Sequence, residues 1–220
     1  MVTRVIKLGG SLLELSDWAE RLRRWLVAQG PATNLIVVGG GERVEAVRTE
    51  QRLERFSDEW AHVKALESMD RNAADVVSAL AGATLVQRWQ PGGALPGGST
   101  LVLECGVWAA SEPVFERSWR TTSDSIAAEI ATQLDAAELV LLKSCLPEQD
   151  ISSVVDPRFE AHARDGQLVR VVNLREAGFP ETAWRKPVLI ASAGSSRQPP
   201  VENERGVGPG FSQMSRHVDS

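Results

Sequence analysis

The chain has 220 residues, enough for one sizeable hydrophobic core and short for two. An apolar fraction of 43% and a charged fraction of 24% are those of a globular domain, and a formal net charge of −5 argues against a general nucleic-acid binder, which carries a basic face or stripe. Two cysteines, Cys105 and Cys145, supply neither a disulfide framework nor a CxxC metal pair and read as ordinary semi-buried thiols. The opening MVTRVIKLGG is too short in apolar run for a signal peptide, and no apolar run is longer than a strand. The expectation is a cytoplasmic protein with neither membrane nor nucleic acid among its partners.

Strand-like and helix-like segments alternate from the first residue. Val2 to Leu8 reads as a buried strand running into Gly9-Gly10. Trp18, Leu22, Trp25 and Leu26 recur at helical spacing, with Glu20, Arg21, Arg23 and Arg24 opposite them. Asn34 to Val38 is a second strand, ending in Gly39-Gly40-Gly41. A long helical region follows, its stripe formed by Trp60, Val63, Leu66, Ala73, Val77 and Leu80 up to Gly82. Thr84–Val86 and Leu101–Glu104 are short strands, and residues 90–98 form a Pro/Gly-rich loop between them. Ser123 to Leu134 is a helix, Leu139–Leu142 a buried strand, and Leu168–Val172 and Val188–Ala191 complete the set. Trp18, Trp25 and Trp60 fall at core-facing helix positions. Residues 194–220 are rich in Ser, Gly, Pro and charge, and are expected to be a disordered tail after a single domain over 1–193. Such alternation implies βαβ units, hence an α/β fold: a three-layer α/β/α sandwich around a mostly parallel central sheet.

Three elements fall at strand ends or helix starts, where open α/β sheets bind ligands. In Lys7-Leu8-Gly9-Gly10-Ser11 the glycines permit close backbone approach to a phosphate, and Lys7 adds a point charge. Gly39-Gly40-Gly41 offers free amides at the same edge. Thr121-Thr122-Ser123-Asp124-Ser125 opens a helix, where Ser123 or Asp124 can cap and the remaining groups face the cleft. Each element alone also reads as a tight turn or a cap; together and in this order they point to phosphate handling. The sequence has neither the GxxxxGK[ST] P-loop nor a GxGxxG after a strand.

The K-x-G-G-S opening, the G-G-G after the second strand and the S-D-S-x-A-A helix start resemble the amino acid kinase superfamily, over roughly residues 2 to 192. Local detail is similar to the kinase of the methanofuran pathway: Val47-Arg48 after the glycines, then His62 and Met69-Asp70, then Ser118-Trp119 before the Ser/Asp cluster. The resemblance implies an ATP- and Mg2+-dependent kinase acting on a small phosphorylated acceptor, an aminomethylfuran-methyl phosphate in methanofuran-type cofactor biosynthesis. It implies Lys7 on the transferring phosphoryl group, Asp124 orienting that lysine and the magnesium–phosphate cluster, and the amides of Gly9, Gly10, Gly40 and Gly41 cradling phosphate oxygens. Ser11, Gly39, Ser123 and Lys143 complete the nucleotide side. Arg48, His62 and Asp156 are candidates for the acceptor, with no protein side chain assigned as a metal ligand. Arg48 also reads as a solvated surface charge, and His62 as a helix histidine with a structural hydrogen bond. A homo-oligomer, dimer or larger, is expected by the same analogy.

The sequence departs from the superfamily after Leu139–Leu142. Where members carry a T-D-V-D-G-[VI]-Y type segment, this chain has Lys143-Ser144-Cys145-Leu146-Pro147-Glu148-Gln149-Asp150, and it contains no tyrosine. Two alternatives follow: a kinase for another phosphate acceptor, such as an isopentenyl-phosphate-like one, and a catalytically silent nucleotide- or anion-binding homologue. An acceptor pocket walled by large apolar residues favours the isoprenoid type. Convergence of His62, Asp70 and Asp156 on one cavity favours an amine-bearing acceptor.

Overall fold

The computed structural model describes residues 2–87, 89 and 95–188. They lie in one compact unit, Met1–Leu189. The expected tail, and residues 90–94 of the expected loop, lie outside the described residues.

Among the described residues, seven strands form one sheet in the order β3-β4-β2-β1-β5-β6-β7. They are β1 (Thr3–Leu8), β2 (Thr33–Val38), β3 (Ala83–Val86), β4 (Thr100–Leu103), β5 (Glu138–Lys143), β6 (Leu168–Asn173) and β7 (Glu181–Arg185). All neighbours pair in parallel except β6 and β7. The α-helices are α1 (Trp18–Ala28), α2 (Gly41–Glu54), α3 (Asp58–Ala79), the short α4 (Gly106–Ser111), α5 (Ser123–Gln133) and the short α6 (Phe159–His162). This is the α/β architecture expected from the alternating pattern. No described helix is long and apolar enough to cross a membrane.

The strands read as continuous apolar runs because both faces of the sheet are covered. Alternation along β1 sends Ile6 and Leu8 into one core with Leu22 and Trp25 of α1, and Val5 into the other with Ile126 and Ile130 of α5. Helix α3 serves both: Leu66 and Met69 enter the second core, Ala73 and Val76 the first. Asn72 falls at the changeover.

The structure differs from the sequence reading in four places. The long helical region is two helices, because the chain breaks at Arg55 (φ 57°) and restarts with Ser57 capping Trp60 N–H. Trp60 is 52% exposed at the first turn of α3, not in the core. The final strand is Glu181–Arg185, an antiparallel edge strand with most side chains exposed; Val188 lies outside any strand, and the rest of the expected Val188–Ala191 lies outside the described residues. Of the two thiols, Cys105 is buried and Cys145 exposed.

Candidate active site

Strand β1 is the centre of the sheet, with β2 on one side and β5 on the other. The chain leaves β1 toward β2 and, after β3 and β4, returns to the far side of β1 as β5. Such a reversal opens a crevice at the carboxyl ends of the strands. Lys7, Gly39 and Lys143 all fall at that edge.

Register explains how two lysines meet. Val5 pairs with Leu139 and Lys7 with Leu141, so Leu139, Leu141 and Lys143 project on the same face as Val5 and Lys7. Helix α5 begins on that face and inserts Asp124 between the two ammonium groups. Lys7 Nζ is 2.9 Å from Asp124 Oδ1, and Lys143 Nζ lies 2.8 and 2.7 Å from Oδ1 and Oδ2. Lys7 and Asp124 are 6% and 5% exposed, so this is a nearly dry cluster with one net positive charge. Burial alone would raise the Asp124 carboxyl, but Lys7 and Lys143 outweigh it and hold it below the usual carboxylate range. Lys143 goes the other way: burial and the nearby Lys7 charge push it down to about 8, against the attraction of Asp124.

The start of α5 is built by Asp156. Thr122 is the cap, its hydroxyl accepting from Asp124 N–H at 3.4 Å, in place of the Ser123 or Asp124 cap expected. Asp156 accepts from Thr122 N–H (3.1 Å), Thr122 Oγ1 (2.7 Å), Ser125 N–H (3.0 Å), Arg158 N–H (3.0 Å) and the Ser125 hydroxyl. A carboxylate so engaged anchors a helix terminus. Asp156 is not among the side chains lining the adjacent cavity.

That cavity, of about 290 Å³, is lined by Lys7, Gly10, Ser11, Gly40, Gly41, Thr121, Thr122 and Ser123 at one end. Val44, Ala65, Leu66, Met69, Ile126 and Trp119 form an apolar wall, and Glu14, Glu45, Arg48 and His62 complete the lining. The His62 Nε2 and Thr121 Oγ1 atoms are buried with no hydrogen-bond partner among the described residues. Burial holds His62 below the ordinary histidine range, opposed by a hydrogen bond with the Ser118 backbone and reinforced by Arg117. The Arg48 guanidinium lies 4.5 Å from the Trp119 ring centroid and 3.6 Å from Glu45. Trp119 Nε1 donates to Gln51 Oε1 at 2.7 Å, which fixes the ring over α2. Asp70, by contrast, accepts from Gly106 N–H at 2.9 Å beneath α4 and does not line the cavity.

The glycines divide into two groups. Gly9 and Gly39 extend the parallel ladder by one residue: Gly9 N–H donates to Leu142 C=O (2.9 Å) and Gly39 N–H to Leu8 C=O (2.8 Å). Their amides are spent, so the cradle expected from Gly9 is not available, and neither glycine lines the cavity. Gly10, Gly40 and Gly41 do line it. Gly10 and Gly41 touch backbone to backbone: a Cβ on Gly10 would stand 2.1 Å from Gly41 N, and one on Gly41 would stand 2.6 Å from Gly10 O. Gly41 also adopts φ +53°. Ser11 Oγ lies 3.4 Å from the Ser144 hydroxyl, and residues 144–150 contribute nothing to the cavity wall.

No family model matches the sequence, and no curated protein matches it significantly. Solved structures do match. UMP kinase from Ureaplasma parvum aligns with 81% of this chain and 92% of its own, at 13% identity and a TM-score of 0.57. UMP kinase from Bacillus anthracis aligns with 80% and 88%, at 14% identity and 0.55. Aspartate kinase from Synechocystis aligns with 86% of this chain but only 40% of its own, at 16% identity and 0.63. The fold is the amino acid kinase fold. At these identities the likeness speaks to the fold, and chemistry rests on the residues described above.

The sequence reading located Lys7, Gly10, Ser11, Gly40, Gly41, Ser123, Arg48 and His62, all of which the structure gathers at one cavity, with Asp124 and Lys143 behind it. It missed Glu14, Val44, Glu45 and Ile126, which only tertiary packing brings there. It also missed Asn72, a polar residue three positions after Met69 on the buried face of α3, where that interruption was the available signal.

Proposed function

We propose that the chain is an ATP-dependent kinase transferring the γ-phosphoryl group to a small anionic acceptor held in the 290 Å³ cavity. The observation that carries this reading is the buried Lys7–Asp124–Lys143 cluster beside glycine amides at the carboxyl edge of the central strands. In-line phosphoryl transfer needs positioning and charge stabilisation more than covalent chemistry. Two ammonium groups on one carboxylate supply fixed positive charge in a site from which water is largely excluded, where it acts most strongly. The absence of side chains at Gly10 and Gly41 lets the two turns close backbone to backbone, which brings both to the cavity edge beside Lys7.

A triphosphate fits this donor set: Lys7, Lys143 and the amides of Gly10, Gly40 and Gly41 would hold its anionic oxygens, and ATP supplies the transferable phosphoryl group. Both Asp124 oxygens are occupied by lysines, so Mg2+ would be carried chiefly by phosphate oxygens, with the Ser11 and Ser123 hydroxyls at hand. Asp124 keeps both ammonium groups aimed and charged.

For the acceptor, the motif resemblance favours an aminomethylfuran-methyl phosphate, placing the enzyme in methanofuran-type cofactor biosynthesis. A second reading has a specific observation behind it. Of His62, Asp70 and Asp156, only His62 lines the cavity, whereas Val44, Leu66, Met69, Ile126 and Trp119 form an apolar wall suited to an isopentenyl-phosphate-like body. In both, the acceptor is a phosphate monoester and needs no strong general base; Arg48 can clamp it through paired N–H donors. The test is transfer of labelled γ-phosphate from ATP to each monoester by wild type and by Asp124→Asn. Labelled diphosphate formed only by the wild type supports a kinase and identifies its acceptor class. No transfer to any monoester, with ATP still bound, would move the reading to a silent nucleotide-binding homologue.

A further inference from the structure

Two cavities meet at Gly10, Glu14, Gly40 and Gly41: the one described above, and a second of about 260 Å³ whose lining also includes Leu13, Trp18, Arg43, Asn72 and Asp75, none of which lines the first. Asn72 is 4% exposed. Its Nδ2 donates to Gly39 C=O at 2.8 Å and to Gly40 C=O at 2.9 Å. Its Oδ1 accepts from Arg43, which is itself held by Asp75 at 2.7 Å. Arg43 can only donate, so it settles which way the Asn72 amide faces: oxygen to Arg43, nitrogen to the glycines.

We propose that Asn72 is the positioning residue that turns the Gly40 and Gly41 amides toward the phosphate. The peptide unit is planar, and no peptide bond among the described residues is cis, so the N–H of each unit points opposite to its C=O. The Gly39 carbonyl shares a unit with Gly40 N–H, and the Gly40 carbonyl with Gly41 N–H. One side chain that captures both carbonyls therefore directs both N–H groups the other way. Glycine resists rotation of these units less than any other residue, so a turn of glycines needs an outside restraint to keep its amides aligned. A neutral donor provides it without a charge that would compete with Lys7 for the anion. A carbonyl turned into the cavity would repel a phosphate; a pair of aligned amides forms an anion-binding concavity. Asn72 reaches the turn because α3 changes from one core to the other at this residue.

This inference rests on the phosphate-site reading above, and the test separates the two. Binding of inorganic pyrophosphate is measured by titration calorimetry in wild type, Asn72→Asp and Asn72→Ser, alongside the Gly40 and Gly41 amide signals by NMR. Asn72→Asp replaces the two-hydrogen donor with an acceptor; Asn72→Ser keeps a small neutral group that cannot span both carbonyls. The expected result is at least tenfold weaker pyrophosphate binding in each folded variant (about 1.4 kcal/mol), with both amide signals displaced. A purely structural role would lower the thermal midpoint and leave the affinity of the folded protein within twofold, which overturns the proposal, as do unmoved Gly40 and Gly41 signals. If the wild type binds no pyrophosphate, the phosphate-site reading fails and takes the role with it, whatever the two amides do.

Discussion

Lys143 carries a positive charge that its surroundings only partly support. Burial and the proximity of Lys7 bring it down to about 8, so its proton is lost in the folded protein well before a free lysine would lose its own. If the charged form neutralises the transferring phosphoryl group, activity falls as pH rises through about 8. A guanidinium stays protonated throughout this range. Lys143→Arg is therefore expected to retain activity to higher pH, moving the falling limb of the pH–rate profile upward by more than one unit even if the maximum rate drops. An unchanged limb in that variant would show that Lys143 does not set it. His62 behaves differently: burial holds it neutral at physiological pH, so near pH 7 it can serve as a hydrogen-bonding group but not as a fixed cation.

At the scale of elements, the two glycine turns form a seam with no spare volume. Gly10→Ala would place Cβ 2.1 Å from a backbone nitrogen, so strands β1 and β2 would have to part at their carboxyl ends. The expected cost is about 1–3 kcal/mol or more in denaturant unfolding. Gly30→Ala, with nothing within 4 Å, serves as the near-neutral control. The α3–α4 contact gives a second prediction. Asp70 is raised to about 6, first by burial and then by Glu104 and Glu67, against hydrogen bonds from the Gly106 and Cys105 amides. Its folded value exceeds its unfolded value near 3.8, so the folded state holds the proton more tightly. This contribution to stability is fully present below about pH 3.8 and is lost as pH rises through about 6. Asp70→Asn keeps an acceptor for Gly106 N–H and removes the titration. Its stability should decline less than the wild type's between pH 4 and 6; parallel curves would refute the assignment.

Elements also show what was legible in the sequence. Strands buried on both faces announce themselves as apolar runs, and β1, β2, β4, β5 and β6 were each located to within a residue or two. Helix α2 was not separated from α3, because GERVEAVRTEQRLE buries only Val47 and has almost no apolar stripe. Strand β7 was missed because an edge strand exposing Glu181, Thr182, Ala183 and Arg185 lacks the apolar signal altogether.

Across the whole molecule, the site is assembled from segments far apart in sequence: Lys7, the 39–41 turn, Asn72, Asp124 and Lys143. The parts at strand ends and helix starts could be read, since backbone topology alone sends every such end of a parallel sheet to one edge. The parts reaching in from elsewhere could not. Asp156 has the residue type of an acceptor-binding group, yet its oxygens are taken by the start of α5; Asn72 has no motif around it, yet it grips the glycine turn. Which carboxylate caps and which stays free is a tertiary fact. The Lys143–Asp150 segment shows both sides, for its first residue joins Asp124 while the rest lies outside the cavity wall.

The most direct measurement is binding of ATP with magnesium by isothermal titration calorimetry, in wild type and in Lys7→Ala. The account predicts micromolar binding in the wild type and a loss of at least tenfold, about 1.4 kcal/mol, in the variant. No detectable binding by the wild type, or equal binding by the two proteins, would contradict a working phosphoryl-transfer site around Lys7 and Asp124.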